Sequence, residues 1–332
     1  MSLRPWPVRL ILLGALLAAS CGSGDYFPPP EAEGGWRTRT DAEFVRSLGI
    51  DPDRLEEFGR WNLSIPNTDW KPYGDYQGIL VIKDSWIVGE WYNVPEAREF
   101  RTYLSSNGKA FAAMAFGVMV ADSRDGRIPI EIGPDSRVYD EKWLPQGFPL
   151  SDPGKADITF EQIFRHTSGL CPERTGMGLP VEQGRNEWTD YADWVVGHDK
   201  QWPVTGELVF PPGEAEGWPG KEVWADHAGG YSSVGFGHIG LVLKNIYGVP
   251  ASDFLWDRLL EPLGFSGIDF HAPPSDDIRW FSAGGVRLTP RDYARFAYFL
   301  LRDGRWNGEQ IVDDSWVRKF RESTAYINLR SN

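Results

Sequence analysis

The chain has 332 residues, of which 41% are hydrophobic and 24% are charged, a balance typical of globular proteins and unlike disordered or collagen-like chains. With 34 Lys and Arg against 47 Asp and Glu, its net charge of −13 argues against general binding of nucleic-acid backbones. Two cysteines exclude a disulfide scaffold and the multi-cysteine metal modules.

Residues 1–20 have the pattern of a signal peptide: Arg4 and Arg9, then a short apolar run, then small residues before Cys21. The apolar run is too short to span a bilayer. The small residues resemble a bacterial lipoprotein box, which implies that Cys21 is lipidated and that acyl chains tether the protein to a membrane. We therefore expect a location in the bacterial cell envelope, with the domain facing the periplasm or the exterior. An ordinary secretory signal is the alternative.

Residues 21–40 are rich in glycine and contain the run Pro28–Pro30, a composition typical of a flexible tether. The folded domain is therefore predicted to span residues 41–332. Its first part, residues 41–61, is predicted to form short helices broken near Gly49.

Two β-rich runs within residues 78–92, GILVIK and WIVGEWY, flank Asp84-Ser85 and predict a hairpin. Because an isolated hairpin is marginally stable, it must join a larger sheet. Helical patterns follow, and a nearly all-apolar stretch over residues 106–121 predicts a central buried helix. Further helices are predicted to start after the cap residues Thr159 and Thr289 and to cover residues 233–247. The apolar spacing after Thr289 predicts a buried face made of Tyr293, Phe296, Ala297, Leu300 and Leu301. A hairpin followed by helices argues against a doubly wound parallel sheet.

The chain lacks a dinucleotide-binding G-x-G-x-x-G after a strand, a P-loop, an H-E-x-x-H and a G-x-S-x-G. Its five histidines show no metal-ligand spacing. We therefore expect no cofactor and no metal site.

Ser106 and Lys109 form an S-x-x-K pair at the start of the buried helix, where a spacing of three places both side chains on one face. A serine hydroxyl needs a neighbouring base to act as a nucleophile, and a lysine can serve where burial disfavours its charged form. The helix N-terminus would add partial positive charge where an oxyanion develops. A helix cap followed by a surface lysine is the alternative, but a surface lysine does not account for the apolar helix behind it.

Four segments in order resemble the serine β-lactamases and penicillin-binding-protein-like hydrolases, nearest the class C and related esterase branch. They are the S-x-x-K stretch SSNGKAFAAMAFGVMVADSRDG, the segment ITFEQIFRHTSGL at residues 158–170, Tyr231-Ser232-Ser233 with its following helix, and SAGGVRLTPRDYARFAYFLLRDGRWNGEQIV from Ser282. The resemblance implies an α+β fold, with a helical domain and an antiparallel sheet flanked by helices. It also implies Ser106 as the acylated nucleophile, Lys109 as its proton partner and Tyr231 as the phenol that shuttles a proton to the leaving group. The H-T-S-G-L segment is implied only as a structural turn near the site.

Two departures from the family pattern affect the expected site. Ser233 stands where the family has Asn, so a contact to the lysine or to a substrate amide is weakened, and we expect Ser233 to be a substrate-binding position. After Trp316 the chain has no Lys-Thr-Gly or His-x-Gly motif and no closing strands, so we expect a C-terminally truncated sheet with an exposed edge.

Two function classes remain open from the sequence. The first is a serine hydrolase of the cell envelope that forms an acyl-enzyme with a small-molecule or peptide substrate, either an ester, an amide or a β-lactam. The alternative is a non-catalytic envelope lipoprotein that keeps the fold and binds a peptide or cell-wall fragment.

Overall fold

The computed structural model describes residues 26–65, 76–170, 208, 211–213, 232–270 and 286–321. Two short helices open the domain, α1 (Ala42–Ser47) and α2 (Pro52–Ser64). The Asp41 carboxylate caps α1 by accepting from the Phe44 amide, and Asp51 caps α2 in the same way. The predicted break near Gly49 is confirmed.

The predicted hairpin is confirmed as β1 (Gly78–Lys83) and β2 (Trp86–Tyr92), paired antiparallel. Asp84 and Ser85 at its turn both have positive φ, of 49° and 66°, which suits the twist of a two-residue hairpin. The other edge of β2 is also paired, because Ile87 forms a parallel bridge with Thr38.

The remaining described strands are short. A three-stranded antiparallel sheet has the order β3-β5-β4, and a two-residue ladder pairs β6 with β7. The bounds are β3 (Thr102–Tyr103), β4 (Asp269–Phe270), β5 (Val286–Leu288), β6 (Arg305–Trp306) and β7 (Glu309–Gln310).

The central helix α3 (Gly108–Arg124) is buried on nearly all sides, as predicted for an all-apolar helix. Phe111 stacks on Phe296 with ring centroids 3.8 Å apart, and the Trp316 indole donates to the Ala113 carbonyl at 2.9 Å. The surrounding helices are α4 (Phe160–Phe164), α5 (Ser233–Tyr247), α6 (Ala251–Leu255), α7 (Pro290–Leu301) and α8 (Asp314–Arg321), and a π-helical turn at Trp256–Leu260 follows α6.

The predicted helix starts at Thr159 and Thr289 and the predicted helix over residues 233–247 are confirmed, whereas the central helix begins at Gly108, two residues later than predicted. Thr159 and Gln162 form a reciprocal capping box before α4, and the Thr289 hydroxyl caps α7. α5 ends at Gly248, which has the left-handed conformation that favours glycine. No described helix is both long and apolar enough to cross a membrane.

The predicted tether is wrong for residues 26–40, the part of it that the structure describes. Trp36 is buried at 3% exposure, and the fully buried Arg295 donates to the Pro28 and Pro29 carbonyls at 2.8 and 2.6 Å. The proline run holds extended carbonyls in place for an arginine, so a composition typical of linkers here forms a bound segment. The bounds predicted for the signal peptide and for the catalytic domain stay predictions.

Helix α7 packs against β1 and borders an open groove of about 590 Å³ that β1 and the ends of β3 and β5 also line. Tyr293 and Leu301, which the sequence pattern assigned to the buried face, are exposed and line this groove with Ala297. Among the described strands, β1 pairs only with β2, so its other edge also faces the groove. The expected C-terminal truncation of the sheet, with its exposed edge, stays a prediction.

Candidate active site

Ser106 and Lys109 lie together at the start of the buried helix. Ser106 belongs to a 3₁₀ turn (Ser105–Asn107) that leads directly into α3, and Lys109 is in the first turn of α3. The Lys109 Nζ donates to the Ser106 Oγ across 3.4 Å. Ser106 is exposed, whereas Lys109 is buried at 6% exposure. The spacing therefore places an accessible hydroxyl against a buried amine.

The backbone before Ser106 is fixed to the three-stranded sheet. The Leu104 amide donates to the Val286 carbonyl of β5 at 2.9 Å, which continues the β3–β5 pairing by one residue. The Asn107 amide then donates to the Leu104 carbonyl at 3.1 Å and closes the 3₁₀ turn. Ser106 is thus held between a strand end and a helix start, two rigid elements.

Helix α5 lies beside the lysine, and α4 packs against α5 at this point. The Lys109 Nζ lies 5.7 Å from the centre of the Phe236 ring on α5, and that ring also packs edge-on against Phe164 of α4. An aromatic face this close to an ammonium group excludes water from that side and attracts its charge.

The turn after α4 brings a histidine to the same region. His166 has a positive φ of 57°, and its ring lies 5.2 Å from the Phe236 ring. The Ser232 amide, at the N-cap of α5, donates to His166 Nδ1 at 3.1 Å. Loss of hydration, together with the positive charge of Lys109, lowers the pKa of the His166 imidazole to about 3. His166 is therefore neutral at physiological pH.

The other predicted site residues cannot be placed with this pair. Cys21 and Tyr231 lie outside the described residues. Ser233 is the first residue of α5, next to the cap Ser232, but its side chain also lies outside the described part. Within the described ranges, no group of three or more His, Cys, Asp or Glu could hold a metal ion.

Sequence reasoning assigned the H-T-S-G-L segment only a structural turn and did not single out His166 or Phe236. The motif itself was the available signal for His166. Its contact with the α5 N-cap joins residues 66 positions apart, which no local pattern predicts.

A family model described as Beta-lactamase matches residues 77–326, which is more than half of the chain. This match contains Ser106, Lys109 and helices α4 and α5. No curated protein matches the chain.

Solved structures share the fold at low sequence identity. A protein of Bacteroides dorei that is provisionally named a beta-lactamase matches with a TM-score of 0.55 and 22% identity, over 81% of this chain and 68% of its own. The octameric penicillin-binding protein homologue of Pyrococcus abyssi has a TM-score of 0.53 and 18% identity, over 85% and 62%. A hydrolase with promiscuous acyltransferase activity has a TM-score of 0.51 and 17% identity, over 82% and 76%. The predicted α+β fold of this type is confirmed.

Proposed function

The chain belongs to the beta-lactamase family, a family of hydrolases, and we propose that it is a serine hydrolase that works through an acyl-enzyme at Ser106. The observation that carries the proposal is the hydrogen bond between the exposed Ser106 Oγ and the buried Lys109 Nζ, 3.4 Å long. A nucleophile within reach of a base is the arrangement that serine acyl transfer needs.

In the first step, the Ser106 Oγ attacks the carbonyl carbon of the substrate while the neutral amine of Lys109 accepts the hydroxyl proton. Burial favours the neutral form of an amine, and Lys109 is only 6% exposed. The bond from the carbonyl carbon to the leaving group then breaks, and the leaving group takes up a proton. Water hydrolyses the acyl-enzyme and regenerates the serine hydroxyl.

The position of Ser106 before α3 also supports the charge that develops in the first step. The carbonyl oxygen becomes an oxyanion near the N-terminus of a 17-residue helix, where unpaired amides and the helix dipole provide partial positive charge. The same field stabilises a serine oxygen as it loses its proton.

This chemistry requires a substrate with a carbonyl carbon that bears a leaving group. An ester, an amide or a β-lactam, in a small molecule or a peptide, meets that requirement. Tyr231 would supply the proton that the leaving group needs, and Ser233 would contact the substrate. Lipidation of Cys21 would place these reactions at a membrane surface of the cell envelope.

Turnover of an activated ester tests the proposal. We expect Ser106→Ala and Lys109→Ala each to lower kcat/KM by at least about 100-fold, because each removes one member of a nucleophile–base pair. Ser105→Ala is the matched control, a change of the same size one residue earlier. Unchanged turnover in Ser106→Ala would refute the nucleophile. The wild type giving no turnover of any ester or amide would favour the non-catalytic binding protein.

A further inference from the structure

Two groups of different chemistry meet the amine of Lys109. The Ser106 hydroxyl oxygen lies 3.4 Å from its Nζ, and the Nζ lies over the face of the Phe236 ring, 5.7 Å from the ring centre. The hydroxyl can exchange a proton with the amine, whereas the ring cannot. The negative face of a phenyl ring attracts an ammonium group and has no comparable attraction for a neutral amine. Phe236 therefore distinguishes the two charge states of Lys109 before and after it accepts the serine proton.

The Phe236 ring is held in place before any reaction begins. Its side chain is only 4% exposed. The Phe164 ring meets it at 83° with the two centres 5.6 Å apart, and the His166 ring lies 5.2 Å away. A ring packed in this way keeps its orientation when the charge of Lys109 changes, so it attracts the ammonium group without a cost of reorganisation.

Two effects oppose each other at the amine. Burial of Lys109 disfavours its ammonium form, whereas the Phe236 ring favours it. The titratable neighbour on the α4 turn is His166, and burial together with the charge of Lys109 lowers its pKa to about 3. Its neutral imidazole adds no repulsion to the ammonium group. The ring thus offsets part of the cost of charging a lysine in a buried site.

We propose that Phe236 is a positioning residue for Lys109: the face of its ring holds and stabilises the ammonium group that forms as Lys109 takes the proton of Ser106. The inference rests on the proposed function, in which Lys109 is the base. An interaction that strengthens as the charge develops stabilises the transition state more than the starting complex, and such interactions raise kcat. Phe236 acts through Lys109, and no contact with the substrate is required.

Fluorinated phenylalanines at position 236 separate the charge of the ring face from its packing. Each fluorine withdraws electron density and weakens the negative face, while the shape of the side chain changes little. Rings with one, two and three fluorines therefore weaken the attraction for the ammonium group in steps. The other contacts of Lys109 and Phe236 are common to the whole series, so they cancel in the comparison.

Titration of Lys109 itself tests the contact without reference to activity. The Ser106→Ala protein is labelled with carbon-13 at the lysine Cε, and the Lys109 signal is identified by its loss when Lys109→Arg is added. We expect the titration midpoint of Lys109 to fall with each fluorine, by about 0.5 pH unit for three, because the ammonium form loses the attraction of the ring. A midpoint that is the same across the series would overturn the contact.

The pH profile of ester turnover tests the catalytic consequence. A lysine base is inactive while it is protonated, so kcat/KM falls as the pH drops through its titration midpoint. With three fluorines we expect this acid limb to move to lower pH by about 0.5 unit and the plateau above it to fall about threefold, because the developing ammonium group is less well stabilised. A packing defect alone lowers the plateau and leaves the acid limb in place, and that result would overturn the role.

The same fluorinated residues at Phe164 are the matched control. The Phe164 ring packs edge-on against Phe236, so it reports whether fluorine in this aromatic cluster acts through packing alone. We expect neither the Lys109 midpoint nor the plateau to change in this series, and equal shifts in the two series would overturn the assignment to Phe236. Failure of the wild type to acylate Ser106 would instead refute the proposed function, and the titration in Ser106→Ala would still decide whether the ring holds the ammonium group.

Discussion

Glu31 joins the segment before α1 to helix α7 through two buried arginines. Its Oε1 accepts from Arg295 Nη2 at 2.8 Å, and its Oε2 accepts from Arg291 Nη1 at 3.0 Å. The Arg295 side chain has no exposure and that of Arg291 has 8%. Replacing Glu31 by Ala therefore leaves two buried guanidinium groups each short of one charged acceptor.

The size of the effect follows from these contacts. A hydrogen bond to a charged group contributes about 1.5–3 kcal/mol, and two are lost. Both arginines retain other acceptors, the Pro28 and Pro29 carbonyls for Arg295 and the Glu90 carboxylate for Arg291. We therefore expect Glu31→Ala to lower the free energy of unfolding by about 2–4 kcal/mol. With a urea m-value near 3 kcal/mol/M, the midpoint falls by about 1 M.

Urea unfolding followed by tryptophan fluorescence measures this shift, and Glu33→Ala is the matched control. Glu33 lies in the same 3₁₀ turn but is exposed, so its replacement should change stability by less than about 0.5 kcal/mol. If Glu31→Ala is no more destabilising than Glu33→Ala, the arginine contacts contribute nothing. The segment would then behave as the tether that its composition predicts.

Two further predictions concern buried charges. Asp122 accepts from Arg258 through both oxygens, and these bonds hold its carboxyl pKa below the usual value despite burial. At neutral pH, Asp122→Asn should lower the free energy of unfolding by about 2–3 kcal/mol. Because the pKa of Asp122 is lower in the folded than in the unfolded protein, wild type loses this stability as pH falls below about 4, and the difference in stability between the two proteins should shrink. A difference that stays constant with pH would contradict the ion pair with Arg258. Burial lowers the pKa of Lys155 to about 8, so the unfolded chain binds more protons above that pH. Wild type should therefore gain stability relative to Lys155→Met as pH rises from about 8 to 10.5. The difference in stability between wild type and the exposed-site control Lys142→Met should not change over this range. If the stabilities of wild type and Lys155→Met depend on pH in the same way, the lowered pKa is excluded.

Local chemistry predicted most of the described elements. The Thr159 and Thr289 caps, the Gly248 stop and the Asp84-Ser85 turn each act within a few residues, so the sequence contains all that determines them. The S-x-x-K pair belongs to the same class, because a spacing of three on a helix brings its members together regardless of the rest of the fold.

Long-range pairing explains what the sequence did not predict. Apolar periodicity placed Tyr293 and Leu301 in the core, whereas both are exposed and the charged Arg295 of the same helix is fully buried. Its burial depends on carbonyl and carboxylate acceptors more than 260 positions away, at Pro28 and Glu31. A pattern within one helix contains no information about such partners, and the same limit hid the contact between His166 and Ser232.

The central claim is a covalent intermediate at Ser106, and mass spectrometry of the protein after treatment with a serine-directed fluorophosphonate tests it most directly. We predict one adduct per chain, mapped by proteolysis to the peptide that contains Ser106, absent in Ser106→Ala and retained in Ser105→Ala. Lys109→Met should slow labelling by at least about 100-fold, because the base that activates the hydroxyl is lost. An adduct on a different residue, or labelling of Ser106→Ala at the wild-type rate, would contradict the account.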